Sequence, residues 1–187
     1  TAQKRSESLQ DVPISMTALD GKRMEDAGVA SFAELANYVP NFSISENAVN
    51  TIITMRGISI GANQSFEQPV GIYIDGVHYG KSRHARNALF DMQQVEVLRG
   101  PQGILFGKNT LAGAVNITTA EPTLGAGTSG QVAVSAESYD GEIVEASANY
   151  SPSEKMGFRV AFKDRQREGY NDNSFANEVN GYATEMP

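Results

Sequence analysis

At 187 residues, with 40% hydrophobic and 8% aromatic content, the chain holds enough apolar material for one good-sized domain or a small domain plus a further segment, and its composition is that of a folded protein. The absence of cysteine excludes a disulfide framework and any thiolate metal or redox site. A formal net charge of -7 argues against a nucleic-acid partner, which needs a concentrated basic face; the one dense basic cluster runs only from Lys81 to Arg86.

Residues 1–11 show no hydrophobic periodicity and are expected to be extended and mobile. No charged-then-apolar leader stands at Thr1, so a secretory signal is expected to have been removed or left out. No run approaches the roughly 18 apolar residues of a membrane helix, whereas a membrane strand needs only about 9 to 11 alternating residues. Val12 to Leu19 alternates as a strand with Pro13 near its start, and Asp20 ends it and can cap residues 21–27. Ser31-Phe32-Ala33-Glu34 reads as a capping box, serine and glutamate each satisfying the other's orphan N–H, at the head of a helix that Pro40 must stop. Phe32, Leu35, Ala36 and Val39 form its apolar face. Thr51 to Met55 is a β-branched strand leading into Arg56-Gly57, and the polar loop 59–68 after it suits a ligand or a mobile surface. Residues 70–79 predict a hairpin turned by Asp75-Gly76, a pair suited to positive φ. Ala88 to Met92 reads as one or two helical turns. Up to this point the pattern is a mixed α+β unit with a small sheet.

The next stretch, VEVLRGPQGILFGKNTLAGAVNI at 95–117, organises the chain. Two strand-like segments bracket a passage punctuated by Gly100, Gly103, Gly107 and Gly113, which suggests a backbone walked tightly against a neighbouring surface. A phosphate loop is the sharpest enzymatic reading of 103–108, and it fails: three residues, not four, separate Gly103 from Gly107, and Asn109 follows Lys108 where a hydroxyl is needed. The stretch resembles the signature of the plug domain of TonB-dependent outer-membrane receptors, which Glu96, Val97, Arg99, Gly100, Pro101, Phe106, Gly107, Gly113, Asn116 and Ile117 match. The resemblance extends upstream through Asp11-Val12-Pro13-Ile14, Arg56-Gly57 and Tyr73-Ile74-Asp75-Gly76-Val77. One departure is Ala112, where many members carry a second glycine.

After Glu121-Pro122 the character changes. Residues 123–130 are rich in glycine and threonine, a linker by composition. Beyond it Val132, Val134 and Ala136 alternate with Gln131, Ser135 and Glu137. Val144, Ala146, Ala148 and Tyr150 then oppose Glu145, Ser147 and Asn149, and Phe158, Val160 and Phe162 oppose Arg159, Lys163 and Arg165. Turns fall at Asp140-Gly141 and at 151–155. Such strands by themselves fit half of a soluble sandwich. Their length, the aromatics Tyr150, Phe158 and Tyr170 near run ends, and the plug resemblance upstream favour the opening strands of a transmembrane barrel. Residues 169–187 read as a long external loop. The expected division is therefore a plug domain at 1–120, then a linker and first barrel strands at 121–187.

The two histidines, His78 and His84, have no partner at metal-ligand spacing, and no serine sits in a nucleophile elbow. The expectation is no enzyme, no metal and no cofactor. The resemblance implies more: arginines at the positions of Arg56 and Arg99, with Glu96 nearby, help lock the plug against glutamates of a barrel wall of about 22 strands, most of which would lie beyond these residues. The plug's two upper loops correspond to 59–68 and 79–86, making Asn63, Gln64, Phe66, Lys81, Arg83 and His84 the ligand-contact candidates. Amides, an aromatic face and cationic groups there suit an anionic chelate or a polyhydroxylated solute. The partners implied are TonB, engaging a segment at or before Thr1, the rest of the barrel, outer-membrane lipid and a small-molecule ligand, foremost a ferric siderophore. The competing reading is a soluble β-rich ligand-binding module of the cell surface.

Overall fold

The computed structural model describes residues 14–46, 51–59, 68–86, 89–137 and 141–166. The expectations for 1–13, for most of the 59–68 loop and for 169–187 lie outside the described residues. Two compact units divide between Glu121 and Pro122.

The first unit is built on a five-stranded sheet of order β1-β6-β7-β4-β5. Here β1 is Met16–Asp20, β4 Val70–Ile74, β5 Val77–Tyr79, β6 Met92–Arg99 and β7 Gly113–Thr119. The organising stretch forms its centre: β6 pairs antiparallel with both β1 and β7, and β4 joins β7 in parallel. Strands β2 (Phe42–Glu46) and β3 (Thr51–Met55) make a separate antiparallel pair. At the end where Val97 and Leu98 face Val115 and Ala114 the central strands are apolar on both faces, and both are covered. Val95, Val97, Val115 and Ile117 pack with Phe32, Leu35, Ile53 and Met55 on one side, while Leu98, Ala114 and Tyr73 meet Ile14, Met16 and Phe106 on the other. Each fully buried valine, leucine, isoleucine, phenylalanine or methionine among them contributes on the order of 1.5–3 kcal/mol by leaving water.

Local sequence chemistry explains the edges. Asp20 closes β1 and caps α1 (Gly21–Asp26) by accepting from Arg23 N–H at 2.8 Å. Ser31 Oγ caps α2 (Phe32–Ala36) through Glu34 N–H. Glu34 Oε2 accepts from Ala30 N–H, 2.6 Å away and one residue before the cap. The Asp75-Gly76 turn has φ of 48° and 80° and joins Ile74 to Val77, the paired positive values a tight hairpin requires. The helical turn expected at 88–92 is absent from the described part of that span. A 3-10 turn lies earlier, at Ser82–Arg86, and β6 already begins at Met92, because Asp91 turns the chain at φ 50°.

The second unit is a three-stranded antiparallel sheet of order β10-β9-β8, formed by β8 (Gly127–Glu137), β9 (Gly141–Ser153) and β10 (Met156–Gln166). β8 starts at Gly127, inside the segment read as linker, and β9 continues to Ser153 through residues read as turn. Backbone pairing overrides the turn propensity of glycine and proline there. Register aligns Val132 with Ala146 and Phe162, Val134 with Val144, Gly130 with Ala148 and Val160, and Tyr150 with Phe158. One face is thus an apolar band, with Val132, Val134, Val160 and Phe162 each more than half exposed. The opposite face is polar and ion-paired: Lys163 with Glu145, and Arg165 with Glu137 at 2.8 Å.

Candidate functional site

The cationic candidates sit on one anchored turn. Ala85 is buried, and Arg86 Nε donates to Thr51 Oγ1 at 2.6 Å, tying the 3-10 turn to β3. The His84 ring meets Tyr79 edge-on at 4.8 Å. Lys81 and Arg83 project into solvent. The structure therefore brings Lys81, Arg83 and His84 together on a fixed support, a local positive patch on an acidic protein. Asn63, Gln64 and Phe66 lie outside the described residues. Among the described residues no three of His, Asp or Glu converge as a metal site would require.

Arg56 and Arg99 occupy strand ends. Arg56, at φ 53°, follows β3 and is held by its own N–H to Asn41 O at 2.8 Å. Its Nη1 lies 3.4 Å from where a side chain on Gly100 would begin, so its guanidinium stands beside the residue that follows Arg99. Among the described residues it has no hydrogen-bonding partner. Arg99 turns back onto the first unit: Nη1 donates to Pro40 O and Nη2 to Met16 O, both at 3.3 Å, and Nε is buried without a partner. Glu96, 2% exposed, accepts from the amides of Gln94 and Asn116, each at 2.9 Å. Its position is inside the sheet, and Asn116 at the far end of the motif is one of the residues that hold it.

Arg99→Ala should loosen the junction of β1, β6 and the Pro40 turn by about 1.5 kcal/mol, the low end for bonds from a charged donor because both are long. Faster amide exchange at 15–18, with the β8 and β9 ladder unchanged, is the expected reading. Unchanged exchange there would place the role of Arg99 elsewhere than in these two bonds.

The glycine passage separates into distinct jobs. Gly100 and Gly107 have φ of 102° and 79°, and Asn109 joins them at 62°, a non-glycine position that the glycine pattern did not flag. A Cβ on Gly113 would lie 2.2 Å from Met55 Sδ and 2.3 Å from Leu98 O, whereas one on Gly103 would meet nothing within 4 Å. Ala112 is fully enclosed, its N–H donating to Pro69 O and its carbonyl accepting from Gly100 N–H. Tyr73 Oη donates to Phe106 O at 2.5 Å with the two rings 4.9 Å apart. Burial pushes the Tyr73 hydroxyl above its ordinary range, keeping it protonated and able to donate.

The TonB-dependent receptor plug domain family model matches residues 8–114. The pesticin receptor of Yersinia pestis is 38% identical over 125 residues, which is 65% of this chain and 18% of that protein. The vitamin B12 transporter BtuB of Vibrio vulnificus is 24% identical over 162 residues, 84% of this chain and 24% of that one. Among solved structures, the ferric yersiniabactin uptake receptor FyuA from Yersinia pestis superposes with a TM-score of 0.70 at 30% identity, over 80% of this chain and 24% of its own. The ferripyoverdine receptor of Pseudomonas aeruginosa, at 20% identity and a TM-score of 0.74 over 90% of this chain and 22% of its own, shares the fold. The chain thus spans about a fifth of the length of the pesticin receptor. With the motif forming the centre of the sheet and the family match covering more than half of the residues, the chain belongs to the TonB-dependent receptor plug domain family.

Proposed function

We propose that this chain is the N-terminal part of an outer-membrane receptor that imports a scarce solute, foremost a ferric siderophore or similar chelate, with TonB as the energy-coupling partner. In this reading residues 1–120 are the plug that gates the barrel, and 121–187 open the barrel wall. The observation that carries it is the pairing, in one chain, of a plug-family unit with three strands of 11, 13 and 11 residues whose apolar face is exposed. Those lengths suit a bilayer. Tyr150 and Phe158, in register at one end of the apolar face, suit an interfacial girdle. The names of the ferrioxamine B, catecholate siderophore and ferric yersiniabactin receptors support the solute class. Among the described residues no helix is long and apolar enough to cross a membrane, which says nothing of a β-barrel.

Lys81, Arg83 and His84, with Asn63, Gln64 and Phe66, are the proposed ligand contacts. Arg56 and Arg99 are the proposed plug–wall locks, with Glu96 steadying the strand beneath Arg99. Transport follows as family mechanics: ligand bound above alters the periplasmic side, and TonB draws on the N-terminal segment. Uptake of ferric chelates by cells carrying the full-length receptor, with and without TonB, tests the whole reading. Iron uptake that is independent of TonB, or absent for every chelate class, would overturn it.

The two units should also behave differently in water. Expressed alone, 1–121 is expected to be soluble and to unfold cooperatively in denaturant, since its core closes on itself. Residues 122–187 should aggregate unless detergent or lipid covers the apolar face. A tail that stays monomeric in plain buffer would favour the soluble surface module instead.

A further inference from the structure

Within the first unit the chain is held to its end. Asp75 accepts from Thr119 N–H and Oγ1–H at 2.9 and 2.8 Å, and Ala120 N–H donates to Asp91 O at 2.9 Å. Within the second unit it is held again almost at once. Asn149, 3% exposed, grips Thr123 with both ends of its amide: Oδ1 accepts from the backbone N–H at 3.0 Å and Nδ2 donates to the carbonyl at 3.3 Å. Ser151 Oγ, also buried, accepts from Gly125 N–H at 2.9 Å while facing the carbonyls of Ser153 and Met156. Only Glu121 and Pro122 lie between the two sets of anchors.

Residues 122–126 therefore lie across the polar face of the sheet. They are outside β8, which begins at Gly127, and are fastened by two side chains, whereas β8 itself is bonded to β9 along eleven paired residues. Gly157 makes room for them: a Cβ there would come 2.8 Å from Pro122 Cβ and 3.0 Å from Leu124 Cδ2. Two side-chain anchors yield before an eleven-residue ladder, because local opening takes the least-bonded segment first.

We propose that residues 122–126 are a releasable strap that sets the length of the tether between the two units. Fastened, it leaves Glu121 alone between the anchored segments; released as one piece, it frees 121–126, on the order of 20 Å of extended chain. This rests on the geometry of the second unit, whatever solute the receptor carries.

Amide exchange read residue by residue on the full-length receptor in detergent tests it. Asn149→Ala should speed exchange at least tenfold at Thr123 and also at Gly125, which Asn149 does not touch, with the 132–144 ladder unchanged. Gly157→Ala, which presses on Pro122 and Leu124 but leaves both anchors intact, should do the same, and it carries the test if Asn149→Ala does not fold. Acceleration confined to Thr123 in the first variant, or none in the second, would overturn release as a unit. Pro122→Cys with Gly157→Cys needs a shift of about an ångström to reach disulfide geometry. Oxidised, it should slow exchange at Thr123 and Gly125 at least tenfold relative to its reduced form, and equal rates in the two forms would equally refute the strap.

Discussion

Val160→Arg is expected to keep the full-length receptor from inserting as a folded barrel, while Ala161→Arg, one residue on, is expected to insert like the unaltered protein. Val160 is 70% exposed on the apolar face and lies in register with Ala148 and Gly130. On either side along that face stand the Tyr150–Phe158 pair and the row of Val132, Ala146 and Phe162, so the position falls inside the apolar band and not at its rim. An arginine at the lipid-facing midplane costs about 2–4 kcal/mol. Ala161 pairs with Ser147, which pairs with Gln131, and a guanidinium there joins a polar face that already carries Lys163 and Arg165. Period two makes the contrast strict, because a one-residue slip exchanges the faces. Heat-modifiable gel mobility of receptor recovered from the outer membrane is the measurement. Equal insertion of both variants would remove the bilayer from the account of these strands.

Gly113→Ala is the second large effect, and it lies in the plug. The added carbon would meet Met55 Sδ at 2.2 Å and Leu98 O at 2.3 Å. The methionine can move, but Leu98 O belongs to β6, the central strand that pairs with β1 on one side and β7 on the other. Relief therefore means separating β6 from β7 or moving β3. Overpacking of this kind costs typically 1–3 kcal/mol, and a backbone obstacle puts this site at about 3 kcal/mol, a large share of the 5–15 kcal/mol that holds a domain folded. Gly103→Ala, facing open space at the first residue of α3 (Gly103–Phe106), should be neutral or stabilising by up to about 1 kcal/mol, because alanine loses less backbone freedom than glycine. Denaturant midpoints of the 1–121 unit compare the two. Similar shifts for both glycines would show that β3 does not press on the strand pair as described.

Much of this molecule is legible in its residues taken in order. Asp20 and Ser31 cap helices because a short acceptor before an apolar run satisfies orphan N–H groups wherever it occurs. Asp75-Gly76 turns a hairpin because its backbone preference is local, and the alternation through 132–162 sets two faces because strand geometry has period two. Family membership was legible for the same reason, since the motif residues lie close together along the chain. Other features belong to tertiary structure alone. The four glycines of 100–113 look alike as letters, and only the approach of Met55 and Leu98 separates Gly113 from Gly103. Arg99 donates to the carbonyls of Pro40 and Met16, 59 and 83 positions away in sequence. Asn149 registered only as a polar position in an alternating strand and Ser151 only as the start of a turn, and the glycine-rich segment they grip registered as linker. Composition reports that a segment is free to bend, but whether it is held depends on side chains 26 residues further along, and no local pattern encodes a partner at that distance.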